Sequence, residues 1–161
     1  MTDCAEFHLI DEAATLALGK KIADGLVPGM LIALHGPLGA GKTSLARGVL
    51  RGLGFEGRVK SPTYALVELY ELSRLDLYHF DLYRFAHPEE LIESGLQEAF
   101  NGSNVCIVEW AERAGNLLPV ADLVVNMEMA DGERIARLAA HTENGTRCLQ
   151  QLHNWVAGYH G

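Results

Sequence analysis

Apolar residues along this chain fall into short blocks with two spacings. Met30-Leu31-Ile32-Ala33-Leu34-His35 is an almost unbroken apolar run of strand length. Beyond it, Leu45, Ala46, Val49, Leu50 and Leu53 recur at intervals of three, four and seven, which predicts a helix from Thr43 to Leu53. Gly52 and Gly54 close that helix. Upstream, Glu6 to Ile10 suits a short edge strand. Asp11 can cap a helix running to about Gly25, with Leu16, Ala17, Ile22 and Ala23 available to one side.

Downstream, imperfect alternation predicts strands at Tyr64–Leu72 and Leu75–Phe85, joined through Ser73-Arg74 as an antiparallel hairpin. Pro88 opens a helical stretch through about Phe100, weakened or broken near Gly95. Val-Cys-Ile-Val, within Asn104 to Trp110, suits a buried strand. Asp122–Met129 and Glu133–Ala140 predict a second hairpin around Asp131-Gly132. Thr146–Tyr159 reads as a closing helix with Cys148, Leu149, Leu152, Trp155 and Val156 inward.

One strand–loop–helix unit combined with two hairpins predicts an α/β domain whose sheet is mixed rather than purely parallel. The 161 residues suffice for one domain, taken as 1–161, and there are no internal repeats or linker-like stretches. With 48% hydrophobic and 21% charged residues the chain is globular rather than disordered. Its apolar runs fall well short of the ~18 residues of a membrane span. The acidic start, Met1-Thr2-Asp3-Cys4-Ala5-Glu6, lacks a secretory pattern, so a cytoplasmic location is expected. Cys4, Cys106 and Cys148 form neither a disulfide framework nor a zinc pattern and read as reduced thiols. The net charge is −8 and no Lys/Arg cluster stands out. A protein that grips nucleic acid alone usually shows a basic face, so any RNA-linked role is expected to act through a protein partner.

The chemistry sits between the strand at 30–35 and its helix. Gly36-Pro37-Leu38-Gly39-Ala40-Gly41-Lys42-Thr43 is G-x-x-x-x-G-K-T, a complete Walker A phosphate loop. A polyphosphate needs several backbone N–H groups aimed at one point, and glycines permit the backbone conformations and close approach this requires. Lys42 adds positive charge on the β- and γ-phosphates, the Thr43 hydroxyl is a Mg²⁺ ligand, and the helix directs its positive end at the same anion. The expected nucleotide-binding set is Gly36, Leu38, Gly39, Ala40, Gly41, Lys42, Thr43 and Ser44. The fold class is therefore expected to be a three-layer, P-loop NTPase-like α/β domain.

A phosphate loop alone hydrolyses nothing, because the metal needs further oxygen ligands and the attacking group needs orienting. Glu109 ends the apolar run 105–108 and is expected to bind Mg²⁺ directly or through water, an ordinary strand-end glutamate at the surface being the alternative. Trp110 is expected to pack beside it. In His79-Phe80-Asp81-Leu82-Tyr83-Arg84, alternation puts residues 79, 81 and 83 on one strand face. Asp81 could then lie in the second metal shell or orient water, with a solvated strand face as the alternative. Arg84 points the other way. Thr63, in Ser61-Pro62-Thr63-Tyr64, could reach the γ-phosphate or the metal, a simple turn being the alternative. The histidines show no metal spacing and read as structural or surface residues. The absence of an Asn-Lys-x-Asp element favours ATP over GTP. No arginine-rich lid of the kind a small-molecule kinase adds is visible.

The four pieces Gly36–Thr43, Ser61–Tyr64, His79–Arg84 and Val108-Glu109-Trp110-Ala111-Glu112-Arg113, in this order, resemble the bacterial TsaE (YjeE) family. The likeness runs from Thr15 to about Ala140. It implies a small ATPase, using ATP and Mg²⁺, required for N6-threonylcarbamoyladenosine at position 37 of tRNAs that read ANN codons. It further implies a TsaD–TsaB heterodimer as partner, reset by ATP hydrolysis, with tRNA met only indirectly. By position, Lys42 and Thr43 would bind phosphate and Mg²⁺, Glu109 would be the metal ligand, Asp81 the acidic residue needed for activity, and Thr63 part of a switch-like segment. Arg134 falls where the family often has a Gly-Arg pair after a turn. Pro37 and Tyr64 depart from the Asp and Phe usual there.

Overall fold

The two spacings separate the chain into strands of one sheet and helices laid against it. A computed structural model describes residues 3–37 and 39–158. Leu38 and Tyr159 lie outside the described residues, as does the side chain of Val156. The elements are β1 (Asp3–Leu9), α1 (Glu12–Asp24), β2 (Leu31–His35), α2 (Lys42–Gly52), β3 (Val67–Glu71), β4 (Asp76–Asp81), α3 (Glu90–Glu93), β5 (Val105–Glu109), β6 (Leu123–Ala130), β7 (Glu133–Ala140) and α4 (Glu143–Gly158).

All seven strands form one sheet in the order β1-β7-β6-β2-β5-β4-β3. β2 pairs in parallel with β5 on one side and β6 on the other, and β5 pairs in parallel with β4. The flanking pairs, β3 with β4 and β6 with β7, are antiparallel hairpins, and β1 adds antiparallel to β7 as an edge. The mixed sheet predicted from the sequence is thus a parallel centre with antiparallel margins.

Strand alternation divides the core in two. Ile32 and Leu34 of β2, with Val105 and Ile107 of β5, join the cluster beneath α1, α2 and α4. Leu31 and Ala33, with Cys106 and Val108, join the opposite cluster beneath α3 and two short 3-10 turns, Leu96–Ala99 and Ala111–Leu117. Every residue of β5 is buried, as expected of a strand covered on both faces. Among the described residues no helix is long and apolar enough to cross a membrane.

Asp11 caps α1 as expected, its carboxylate accepting the Ala14 N–H at 2.8 Å. The face of α1 differs from the expectation. Leu18, Ile22 and Ala23 are buried along with Thr15 and Gly19, while Leu16 and Ala17 are only half-buried. The reason is the close crossing of α1 over α2. A Cβ on Gly19 would sit 2.5 Å from the Leu45 carbonyl oxygen and 2.7 Å from the Val49 nitrogen, and one on Gly48 would run into the Leu16 carbonyl. Backbone therefore meets backbone at this crossing. Gly48→Ala is expected to lower the thermal midpoint, although alanine favours helix by about 1 kcal/mol. Overpacking against rigid backbone costs about 1–3 kcal/mol, and each kcal/mol lost lowers the midpoint by about 2–4 °C in a chain of this size. A midpoint that holds or rises in a calorimetric scan would refute the close-crossing account.

Several boundaries differ from the sequence pattern: β1 starts at Asp3 instead of Glu6, and α4 at Glu143 instead of Thr146. β3 starts at Val67 instead of Tyr64, because Pro62 opens a turn and Leu66 takes a left-handed backbone (φ 72°). β4 stops at Asp81 instead of continuing to Phe85. The Asp81 carboxylate accepts the Tyr83 N–H at 2.9 Å, a local turn that competes with the strand ladder. The stretch after Pro88 breaks at Gly95 (φ 77°) into α3 and a 3-10 turn, as the glycine suggested. Asp131 and Gly132 both take positive φ, 52° and 78°, which suits the tight turn between β6 and β7.

Candidate active site

The parallel strands β2, β5 and β4 end along one edge of the sheet, at His35, Glu109 and Asp81. In open α/β sheets ligands bind outside the carboxyl ends of such strands. The loop from β2 to α2 occupies this edge. Gly36, Gly39 and Gly41 have φ of 148°, 84° and 99°, a left-handed region that side chains disfavour. At Gly36 space is a second constraint, since a Cβ would lie 2.5 Å from the Met127 carbonyl oxygen. Gly41 is the N-cap of α2 and offers no capping side chain. The first N–H groups of α2 are thus left for an anion.

The expected nucleotide-binding residues are not all placed alike. Gly36, Gly39, Gly41, Lys42, Thr43 and Ser44 line a cleft of about 750 Å³, within the usual range for small-molecule sites. Ala40 is buried and does not line the cleft, and its N–H donates to the Pro37 carbonyl at 3.1 Å. The Ser44 hydroxyl donates to Glu12 on α1 at 3.2 Å, and Arg47 pairs with the same carboxylate at 3.1 Å. Leu38 is outside the described residues.

The acidic residues reach the same cleft through register and alternation. Asp81 of β4 is the pairing partner of Glu109 of β5, which in turn lies opposite Leu34 of β2. Glu109 shares a strand face with Val105 and Ile107, and Asp81 shares one with Leu77, all three of these apolar residues belonging to the cluster beneath α2. Both carboxylates therefore project on the side where α2 starts. Lys42 Nζ stands 3.3 Å from Glu109 Oε1, with both side chains largely buried. Thr63 also lines the cleft, its hydroxyl 2.7 Å from that of Ser61.

His79, read from the sequence as structural or surface, is fully buried, with Nε2 2.8 Å from Glu109 Oε2. One carboxylate oxygen thus faces the histidine and the other the lysine. Burial pushes the Glu109 carboxyl up, but the His79 hydrogen bond and the charges of His79 and Lys42 outweigh it and hold the group below its usual range. His79 Nδ1 is the buried side-chain polar atom with no partner among the described residues. The signal for His79 was present in the sequence, two residues before Asp81 on the same strand face, but spacing could not show that β5 would bring Glu109 beside it.

Tyr83 and Arg84 fall in the turn after β4, so strand alternation does not orient them. Arg84 lies over the ring of the exposed Tyr64, 4.9 Å from its centroid. Trp110, with a left-handed backbone (φ 58°), packs on Tyr83 at 5.0 Å, and Arg113 covers both rings.

The donor set fits Mg²⁺ bound with a nucleotide. Among the described residues no group of three or more His, Cys, Asp and Glu could hold a metal alone. Mg²⁺ typically takes one or two carboxylates and completes its shell with water and phosphate oxygens. Thr43 and Glu109 offer hard oxygens on the cleft wall, with Asp81 beside them.

The family model described as "Threonylcarbamoyl adenosine biosynthesis protein TsaE" matches residues 9–138. The chain is 43% identical to the tRNA threonylcarbamoyladenosine biosynthesis protein TsaE of Haemophilus influenzae over 152 residues, covering 91% of this chain and 96% of that one. It is 38% identical to the Bacillus subtilis TsaE protein over 130 residues, 80% of this chain and 81% of that one. The crystal structure of Bacillus subtilis YdiB superposes with a TM-score of 0.82 at 30% identity, covering 96% of this chain and 97% of that one. On these matches the chain belongs to the TsaE family of tRNA threonylcarbamoyladenosine biosynthesis proteins.

Proposed function

We propose that this chain is a Mg²⁺-dependent ATPase of the cytoplasm that serves N6-threonylcarbamoyladenosine formation at position 37 of tRNAs reading ANN codons. It acts with a TsaD–TsaB heterodimer and resets that complex by hydrolysing ATP. The observation that carries the reading is the meeting, at one sheet edge, of Lys42 and Thr43 with the carboxylates of Asp81 and Glu109. The loop and the start of α2 hold the phosphates. Lys42 neutralises the β- and γ-oxygens, and Thr43 and Glu109 are the ligands for Mg²⁺, which when bound supplies charge stabilisation to phosphoryl transfer. Asp81 would orient the attacking water or stand in the second shell of the metal, and His79 holds Glu109 in place through Nε2.

The net charge of −8 favours protein partners over direct contact with tRNA.

The test is ATP hydrolysis by the purified chain, alone and with TsaB and TsaD of the same organism. Slow turnover that rises with the pair supports the reading, whereas turnover indifferent to the pair, with no complex formed, would remove the partner role. Asp81→Asn can still accept the Tyr83 N–H, so the turn should persist while the charge is lost. Hydrolysis is expected to fall by about 10- to 100-fold. Wild-type turnover in this variant would return Asp81 to a plain strand-end residue.

A further inference from the structure

Arg134 is the second residue of β7, just past the turn at Asp131-Gly132. It is half-buried, and among the described residues it has no ion pair or hydrogen bond. Its side chain lies on the phosphate loop itself. A Cβ built on Gly41 would be 3.0 Å from Arg134 Cδ and 3.1 Å from Nε, and Arg134 lines the same cleft as Lys42. A half-buried guanidinium without a carboxylate is costly to keep unless an anion completes it.

The sheet order says from which side it approaches the loop. β7 lies beyond β6, on the side of β2 away from β5. Lys42 pairs with Glu109 on the β5 side, where the reading above puts the terminal phosphate and metal. Arg134 reaches Gly41 from the other flank, away from Glu109. Resting on the ATPase reading above, we infer that Arg134 is a nucleotide-binding residue. It holds the diphosphate portion shared by ATP and ADP, and does not sense the γ-phosphate. The hairpin β6–β7 is then a working wall of the site, and Gly41 is glycine partly to let this side chain lie against the loop.

The test is titration of ATP and of ADP, each with Mg²⁺, into the wild-type chain, Arg134→Ala and Arg134→Lys, followed by calorimetry or fluorescence. Arg134→Ala is expected to weaken both nucleotides by about the same factor, on the order of 10-fold or more for one charge-assisted contact. Arg134→Lys should recover part of the loss, because charge persists without the planar fork. Unchanged affinity for ADP in a folded Arg134→Ala would overturn the inference, and so would a loss confined to ATP. A wild-type chain that binds neither nucleotide would instead defeat the ATPase reading on which this one rests.

Discussion

Lys42→Ala should abolish measurable nucleotide-dependent behaviour. Removal of one preorganised donor aimed at transferring charge typically costs about 100- to 1,000-fold in turnover. Here the lost group is a full cation on the cleft wall, 3.3 Å from Glu109. Hydrolysis should fall by at least that factor, and ATP affinity should fall with it. Retained turnover near the wild-type rate would show that the loop is not where the phosphates bind.

The same substitution carries a second signature without nucleotide or Mg²⁺. Glu109 is held below its usual range partly by Lys42. A carboxylate with a depressed folded pKa stabilises the fold above its unfolded pKa and loses that contribution as pH falls through the folded value. Removing Lys42 shrinks the contribution. The variant should therefore melt below the wild type at neutral pH, and the gap should narrow as pH drops through the carboxylate range. Thermal midpoints at several pH values read this directly, and a gap that widens on acidification would contradict the pairing.

Glu109→Gln separates hydrolysis from binding. The amide keeps the shape of the side chain and can still meet His79, but it loses the negative charge that the proposed Mg²⁺ site would draw on. Turnover is expected to drop by about 100-fold or more. ATP binding should persist or tighten, since Lys42 is no longer held by a carboxylate before the phosphates arrive. A variant that hydrolyses ATP normally would exclude Glu109 from the metal site. One that binds ATP and partners without hydrolysis, yet sustains tRNA modification in cells, would recast the chain as a nucleotide-gated binding module.

Much of this site is legible in the amino-acid sequence, because its parts obey local rules. Gly36, Gly39 and Gly41 allow the positive φ that a tight loop before a helix uses, a property of the residues themselves. Val105 to Val108 reads as a buried strand because no polar residue interrupts it, and that places Glu109 at a strand end. The resemblance to TsaE rests on the same short motifs, and the family match bears it out. Boundaries fail where a side chain overrules a pattern. Asp81 takes the Tyr83 N–H and stops β4 four residues early, so Tyr83 and Arg84 leave the face that alternation assigns to them. On α1, Leu18 rather than Leu16 or Ala17 goes inside, because Gly19 and Gly48 set the crossing with α2.

The sequence by itself determined the phosphate loop, the mixed α/β class and the two acidic candidates, since each depends on spacing within a few residues. Only the tertiary structure decided what those groups touch. His79 meets Glu109 across 30 residues because β4 and β5 pair in one register, Asp81 opposite Glu109. Arg134 reaches Gly41 because β6 pairs with β2 and carries the β7 hairpin back over the loop. Strand order and register are settled by burying both faces of the whole sheet at once, and no local stretch of sequence contains that sum.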